Sequence, residues 1–159
     1  MNLQIVCVGK LKEKYWTEAL SEYRKRLNRF CNLSIAEVRE EPIPNNASVA
    51  QSNYVKQKEG KSLAAQLKPG SYIVALDING SELTSVELAQ KINDLGIGGR
   101  SDISFIIGGS LGLSEDILKR CDLRLSFSKL TFPHQMIRVV LLEQLYRSFK
   151  INRNETYHK

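Results

Sequence analysis

Histidine and cysteine are scarce in this chain of 159 residues: two histidines, His134 and His158, and three cysteines, Cys7, Cys31 and Cys121. Two histidines are too few for a metal-ligand cluster. An odd number of cysteines with no short Cys-x-x-Cys spacing gives neither a disulfide framework nor a zinc site, so no metal is expected. Cys7 sits among Leu3, Ile5, Val6 and Val8, where a thiol reads as a small buried hydrophobe. Also missing is a basic leader followed by an apolar core and a small-residue cleavage site, so secretion is not expected. Long hydrophobic runs are absent too. The most apolar stretch, near the C-terminus, is broken by Arg138, Glu143, Gln144 and Arg147 and does not read as a membrane span. These absences point to a reducing cytoplasm.

What is present is enough apolar material, 42% of residues, for one core, and the whole of 1–159 reads as a single domain. The net charge of +6 is unevenly spread. Residues 1–30 carry +4, residues 31–118 carry −4, and residues 119–159 carry +6. If the fold joins the two ends, one face becomes cationic and suits a polyanion, above all nucleic acid. An ordinary basic protein would show the same totals, and charge alone leaves both readings open.

Hydrophobic periodicity divides the chain into alternating strands and helices. Residues 2–9 read as a buried strand. From about Glu13, the spacing of Trp16, Ala19, Leu20, Tyr23, Leu27 and Phe30 is helical. Residues 33–38 alternate as a half-buried strand, and Pro42 and Pro44 mark a loop. A polar helix is expected over 48–67, with Gly60 as its weak point. The apolar run 72–76 suits an interior parallel strand, and Asn79-Gly80 then reads as a turn. Thr84 and Glu87 form a capping-box signature for a helix expected to stop at Gly96. Residues 103–107 are another buried strand, Ser114 caps a short helix to about Arg120, and residues 123–127 are the last strand. A final helix is expected over 133–151. Strict alternation predicts an α/β fold with a mostly parallel sheet and helices on both faces. That last helix is apolar nearly all round, so it needs cover on more than one side. The sheet supplies one; a second subunit is the preferred source of the other, and a fully internal helix is the competing explanation.

Two loops carry candidate chemistry. Gly108, Gly109 and Gly112 follow a strand and precede a helix, as in a nucleotide-binding turn, but the fingerprint is neither Gly-x-Gly-x-x-Gly nor a P-loop. Glu115 and Asp116, in the first turn of the next helix, would oppose a phosphate. The glycines therefore suit close backbone approach to a ligand without phosphates, or simply a tight turn. The second loop runs from Ser126 to Phe132. An apolar slot with free backbone groups there suits an adenine ring and a thioether or sulfonium chain; Phe127 and Phe132 read equally as plain core. His134, just inside the helix after Pro133, is expected to be neutral, as a hydrogen-bonding and structural group or, less simply, a general base. The tail 152–159 is either frayed or an RNA-contacting segment, with Tyr157 stacking on a base and Arg153 or Lys159 on phosphate.

Several blocks then resemble one family: Val8-Gly9-Lys10-Leu11-Lys12, Glu22-Tyr23-x-Lys25-Arg26-Leu27, Lys58-Glu59-Gly60, Ile106-Ile107-Gly108-Gly109, Ser126-Phe127-Ser128 through Thr131-Phe132-Pro133-His134-Gln135, and Tyr157-His158. This is similar, over essentially the whole chain, to the bacterial large-subunit rRNA pseudouridine methyltransferases of the SPOUT superfamily. The resemblance implies a C-terminal trefoil knot, a homodimer with sites at the subunit interface, and S-adenosyl-L-methionine as methyl donor. The acceptor it implies is the N3 imide of a pseudouridine in 23S rRNA, within the assembled ribosome. Carried over by position, the cofactor site is Leu76, Gly108, Phe127, Ser128, Lys129, Leu130, Thr131 and Phe132. The imide must lose a proton, which makes His158 and Tyr157 the catalytic candidates, with Arg153 and Lys159 as RNA-binding charges. Two other readings stay open: a non-catalytic RNA-binding or ribosome-assembly factor, and a small nucleotide-dependent enzyme using the glycine turn.

Overall fold

The computed structural model describes residues 1–157. Its elements, in chain order, are β1 (Asn2–Val8), α1 (Lys14–Leu27), β2 (Asn32–Val38), α2 (Val49–Gln66), β3 (Tyr72–Glu82), α3 (Ser85–Ile97), β4 (Asp102–Ile107), α4 (Glu115–Leu118), β5 (Leu123–Ser126) and α5 (His134–Asn152). The five strands form one sheet in the order β2-β1-β4-β3-β5, and every pairing is parallel. All strand C-termini therefore lie at one end, where an α/β fold binds its ligand.

Alternation along each strand sends side chains to two cores. Leu3, Ile5 and Cys7 of β1, with Ile103, Phe105 and Ile107 of β4, join Leu27 of α1, Leu88 and Ile92 of α3, and Leu141, Leu142 and Leu145 of α5. Val6 and Val8, with Ile106, face the other way and meet Leu63 of α2 and Ile117 of α4. Because both faces are covered, the inner strands read as near-continuous apolar runs, interrupted by Gln4 of β1 and Ser104 of β4, whose hydroxyl donates to Gln4 Oε1 at 3.0 Å. The capping box at Thr84 and Glu87 is formed, and an equivalent box joins Ser48 and Gln51 at the start of α2. Helix α2 continues unbroken through Gly60 to Gln66.

Two expected boundaries differ. Asn79-Gly80 does not turn the chain. Strand β3 runs on to Glu82, and residues 77–80 form an irregular excursion, since Leu125 pairs with both Leu76 and Ser81. Gly80 serves close approach: a Cβ there would lie 2.6 Å from the backbone of Arg124 on β5. Helix α3 likewise passes Gly96 and ends at Gly98, with the left-handed Gly99 (φ 76°) behind it. The Gly98 and Arg100 amides supply the closing bonds, to Asp94 and Leu95.

Helix α5 lies on the sheet between α1 and α3. Its inner side carries Arg138, Leu141, Leu142, Leu145 and Ser148, all buried. Met136, Val140, Glu143 and Arg147 follow on the opposite side and are half-buried. The apolar girth of this helix is thus met by the sheet and by two flanking helices. The strand order and the course of α5 are consistent with the trefoil knot that the resemblance implies.

Arg138 is the largest fully buried side chain. Its Nη2 donates to the carbonyls of Val8 (2.6 Å) and Gly9 (2.9 Å), and its Nη1 to Glu37 Oε1 (2.9 Å). Replacing Arg138 by Ala strands two buried carbonyls and opens a cavity. Urea unfolding is expected to register a loss of about 3 kcal/mol or more; a loss under about 1 kcal/mol would show that water replaces those bonds without penalty.

Candidate functional site

The ends of β3, β4 and β5 stand side by side, and two loops close over them. After β4 the chain makes a tight turn in which the Gly112 amide donates to the Gly109 carbonyl at 3.0 Å. Gly108 is pressed against that turn: a Cβ would lie 2.8 Å from the backbone carbon of Gly112, a clash with main chain. After β5, Ser126 Oγ donates to the Ser128 carbonyl (3.0 Å), and the Leu130 amide donates to Ser128 Oγ (3.0 Å). These local bonds compact the loop at 126–132 without any help from a ligand.

Between the loops lies a cavity of about 620 Å³, within the size range of small-molecule sites. Leu76 and Gly108 line it, as do Phe127, Ser128, Leu130, Thr131 and Phe132. Lys129 shares their loop but does not line the cavity. Seven of the eight residues carried over by position are therefore brought together. The sequence reading missed Asp77 and Ile78, because they belong to the strand excursion taken for a turn. It also missed Ile137, which stands one helical turn after His134 and was available from that spacing.

No lysine or arginine lines the cavity among the described residues. The lining groups that titrate are Asp77 and His134. Asp77 is paired with Arg124 of the neighbouring strand at 2.5 Å. His134 is held below its ordinary value by burial first, then by the Arg138 and Lys12 charges, with Glu40 opposing them. Behind the glycine turn lies Glu59, which the sequence marked only as part of the Lys58-Glu59-Gly60 block, with no role assigned. Glu59 of α2 is 3% exposed, accepts the Glu41 amide at 3.0 Å, and abuts Gly109, where a Cβ would stand 2.9 Å from its Oε2. Burial raises its carboxyl, the bond from the Glu41 amide opposes that, and the Glu40 and Glu41 charges add to the rise.

The tail is elsewhere. Tyr157 donates to Glu143 Oε1 at 3.1 Å and packs edge-on against Tyr146, with the Arg147 guanidinium over its ring. Glu143 is six residues beyond Ile137, the last cavity-lining residue of α5, so this contact is roughly 9 Å along the helix from the cavity of the same chain. Arg153 lies over the ring of Phe30 (4.6 Å). His158 and Lys159 lie outside the described residues. The Tyr157 phenol is pushed up to about 12, by burial first, then by its neighbours Tyr23 and Glu143. It remains protonated at neutral pH.

The environment of His134 gives a pH expectation. Its folded value lies below the unfolded one, so the unfolded chain takes up the proton first. The stability it contributes is full above about pH 6.5 and is lost as pH falls through the folded value. An NMR titration of the His134 ring is expected to give a midpoint below 6.5; a midpoint above it would mean that Glu40 outweighs burial and the Arg138 and Lys12 charges together.

A family model described as "Predicted SPOUT methyltransferase" matches residues 1–158. The chain is 55% identical to the "Ribosomal RNA large subunit methyltransferase H" of Clostridium novyi and 52% identical to the proteins of the same name in Clostridium kluyveri and Clostridioides difficile. In each case the whole of both chains is covered. Among solved structures, TrmJ from Z. mobilis shares the fold at 11% identity, with a TM-score of 0.50 over 93% of this chain and 70% of that one. A model spanning nearly every residue and relatives alike over half their positions leave one conclusion: the chain belongs to the SPOUT methyltransferase family.

Proposed function

We propose that this protein transfers a methyl group from S-adenosyl-L-methionine to N3 of a pseudouridine in 23S rRNA, acting as a homodimer on the ribosome in the bacterial cytoplasm. The observation that carries the reading is the cavity at the ends of β3, β4 and β5, mostly apolar and without a lining lysine or arginine among the described residues, in a chain of this family.

The residues present fit the donor. Phe127, Leu130 and Phe132 offer apolar surface to an adenine ring, and the backbone of the two loops offers N–H and C=O groups to its edge. Among the described residues a nucleotide phosphate would find no lining lysine or arginine, and a positive sulfur meets none to repel it. When bound, the donor supplies a methyl group activated by a sulfonium. Leu76, Ile107 and Ile137 exclude water, so catalysis rests chiefly on positioning and dehydration.

A second copy supports the rest. Leu130 is 72% exposed and Phe132 37%, on the rim of the cavity, and Met136 and Val140 lie half-buried on the outer side of α5. A twin chain seated on this face would cover them and bring its own tail to the rim. Tyr157, protonated, would stack on or donate to the nucleotide, and proton removal would fall to His158. Arg153 and Lys159 would meet phosphate or the charge that develops on the ring oxygens.

Mapping of rRNA modifications by mass spectrometry, in cells with and without the gene, tests the reaction; an unchanged map would end it. Calorimetry with purified protein is expected to show S-adenosyl-L-methionine binding, and sedimentation a dimer. A monomer that ignores the donor would leave the non-catalytic RNA-binding reading. Gly108→Ala is expected to weaken donor binding by about tenfold or more, because its Cβ meets main chain. In Tyr157→Ala combined with His158→Ala, turnover should fall far more than donor affinity; unchanged methylation would take the tail out of the mechanism.

A further inference from the structure

A charged surface borders the cavity without lining it. The chain leaves β1 at Gly9 and passes through Lys10, Leu11, Lys12, Glu13 and Lys14 into α1, where Tyr15 and Trp16 follow. Lys10, Lys12 and Lys14 are all exposed. Lys10 and Lys12 make no salt bridge among the described residues. Lys14 meets Glu18 only at 3.5 Å, with the side chains 90% and 66% exposed, a pairing that contributes little. Tyr15 is 59% exposed, yet its ring is held against Trp16, with centroids 5.0 Å apart. An open aromatic face fixed among two lysines without a salt bridge among the described residues and a third only weakly paired is poorly explained by solubility alone.

Its placement gives it meaning. The Lys12 amide donates to Gln135 Oε1 at 3.4 Å, and a Cβ on Gly9 would stand 3.5 Å from His134 Nε2. Both contacts tie the segment to the first turn of α5, whose His134 is part of the cavity wall. Lys12 is also close enough to depress His134. The neighbouring rim has no such excess of positive charge: Glu40 accepts from Ser110 at 3.3 Å beside the exposed Arg39, and Glu41 is paired with Lys58 before the buried Glu59. A polyanion reaching the cavity is therefore drawn to the side of residues 10–16 rather than to the balanced β2 side.

We infer that residues 10–16 form the surface that receives the RNA strand flanking the target nucleotide, with Lys10, Lys12 and Lys14 on phosphates and Tyr15 stacked on an unpaired base. The assignment rests on the methyl-transfer reading above. Lysines on phosphates position a strand without reading its sequence, and an exposed aromatic face accepts any base. This surface therefore sets affinity and register, and leaves choice of nucleotide to the cavity and the ribosomal context.

The test is a variant carrying Lys10→Ala, Lys12→Ala and Lys14→Ala together, with Tyr15→Ala made separately and Lys-to-Arg replacements at the same three positions as the charge-preserving control. Binding to purified ribosomal particles is measured across a range of salt. Removing three phosphate contacts is expected to weaken binding by about tenfold or more and to lower the slope of log affinity against log salt by about 2 to 3. The arginine variant should keep the wild-type slope, and KM for the particle should rise while S-adenosyl-L-methionine affinity stays unchanged. Tyr15→Ala should weaken binding with the slope preserved. An unchanged slope in the triple alanine variant overturns the inference. That holds also if affinity falls, since the segment would then be meeting protein. If wild-type protein binds particles but methylates nothing, the proposed reaction fails, and the salt slope still decides the role of residues 10–16.

Discussion

The side chain of Arg138 leaves the second turn of α5 and ends, fully buried, against the last carbonyls of β1 and the carboxylate of Glu37 on β2. A strand that ends inside a parallel sheet leaves carbonyls that the ladder no longer satisfies, and water is excluded from this end of β1. A guanidinium is suited to the task because its planar fork serves two carbonyls and a carboxylate at once. Its Nε is buried without a partner, so the site is not fully satisfied. The constraint still propagates. The segment after β5 is fixed at one end by the sheet and at the other by Arg138, through the start of α5. The loop at 126–132 therefore has a definite shape over the strand ends, and His134 a definite place in the wall.

Parallel pairing does the remaining gathering. With every strand running the same way, the segments after β1, β2, β3, β4 and β5 all emerge at one end. The glycine turn, the bulged end of β3 and the loop after β5 then enclose one space. The charged segments after β1 and β2 lie beside it, the first basic and the second of mixed sign. The tail belongs to a different region, because α5 carries the chain back along the sheet before Tyr157 docks on Glu143.

Much of this was legible from residue order. Strands of period two with both faces apolar forecast a parallel sheet covered on both sides, and the alternation of elements forecast their sequence. The loop at 126–132 stood out because Pro133 marks a helix start directly after a strand. Local signals misled where tertiary contacts set the outcome. Asn79-Gly80 carries a turn signature, yet the glycine is there because β5 passes too close for a Cβ. Gly96 resembles a helix stop, but the helix closes two residues later on Gly98 and Gly99. Asp77 and Ile78 went unnoticed for the first of these reasons; Glu59 stood out only within the Lys58-Glu59-Gly60 block, since a glutamate in a polar helix gives no sign that it will be buried under a glycine turn.

By itself, the order of residues determined which segments become strands and helices, which faces are apolar, and which loops are short enough to sit at strand ends. Those properties follow from periodicity and turn chemistry, which act over a few neighbours. Only the tertiary structure decided that Leu76, Gly108 and Phe127 share one cavity, that Arg138 is buried, and that Tyr157 docks along α5 rather than at the cavity of its own chain. Such outcomes depend on strand order and on the path of the last helix. These are set by how the whole core packs, over separations that no local pattern encodes.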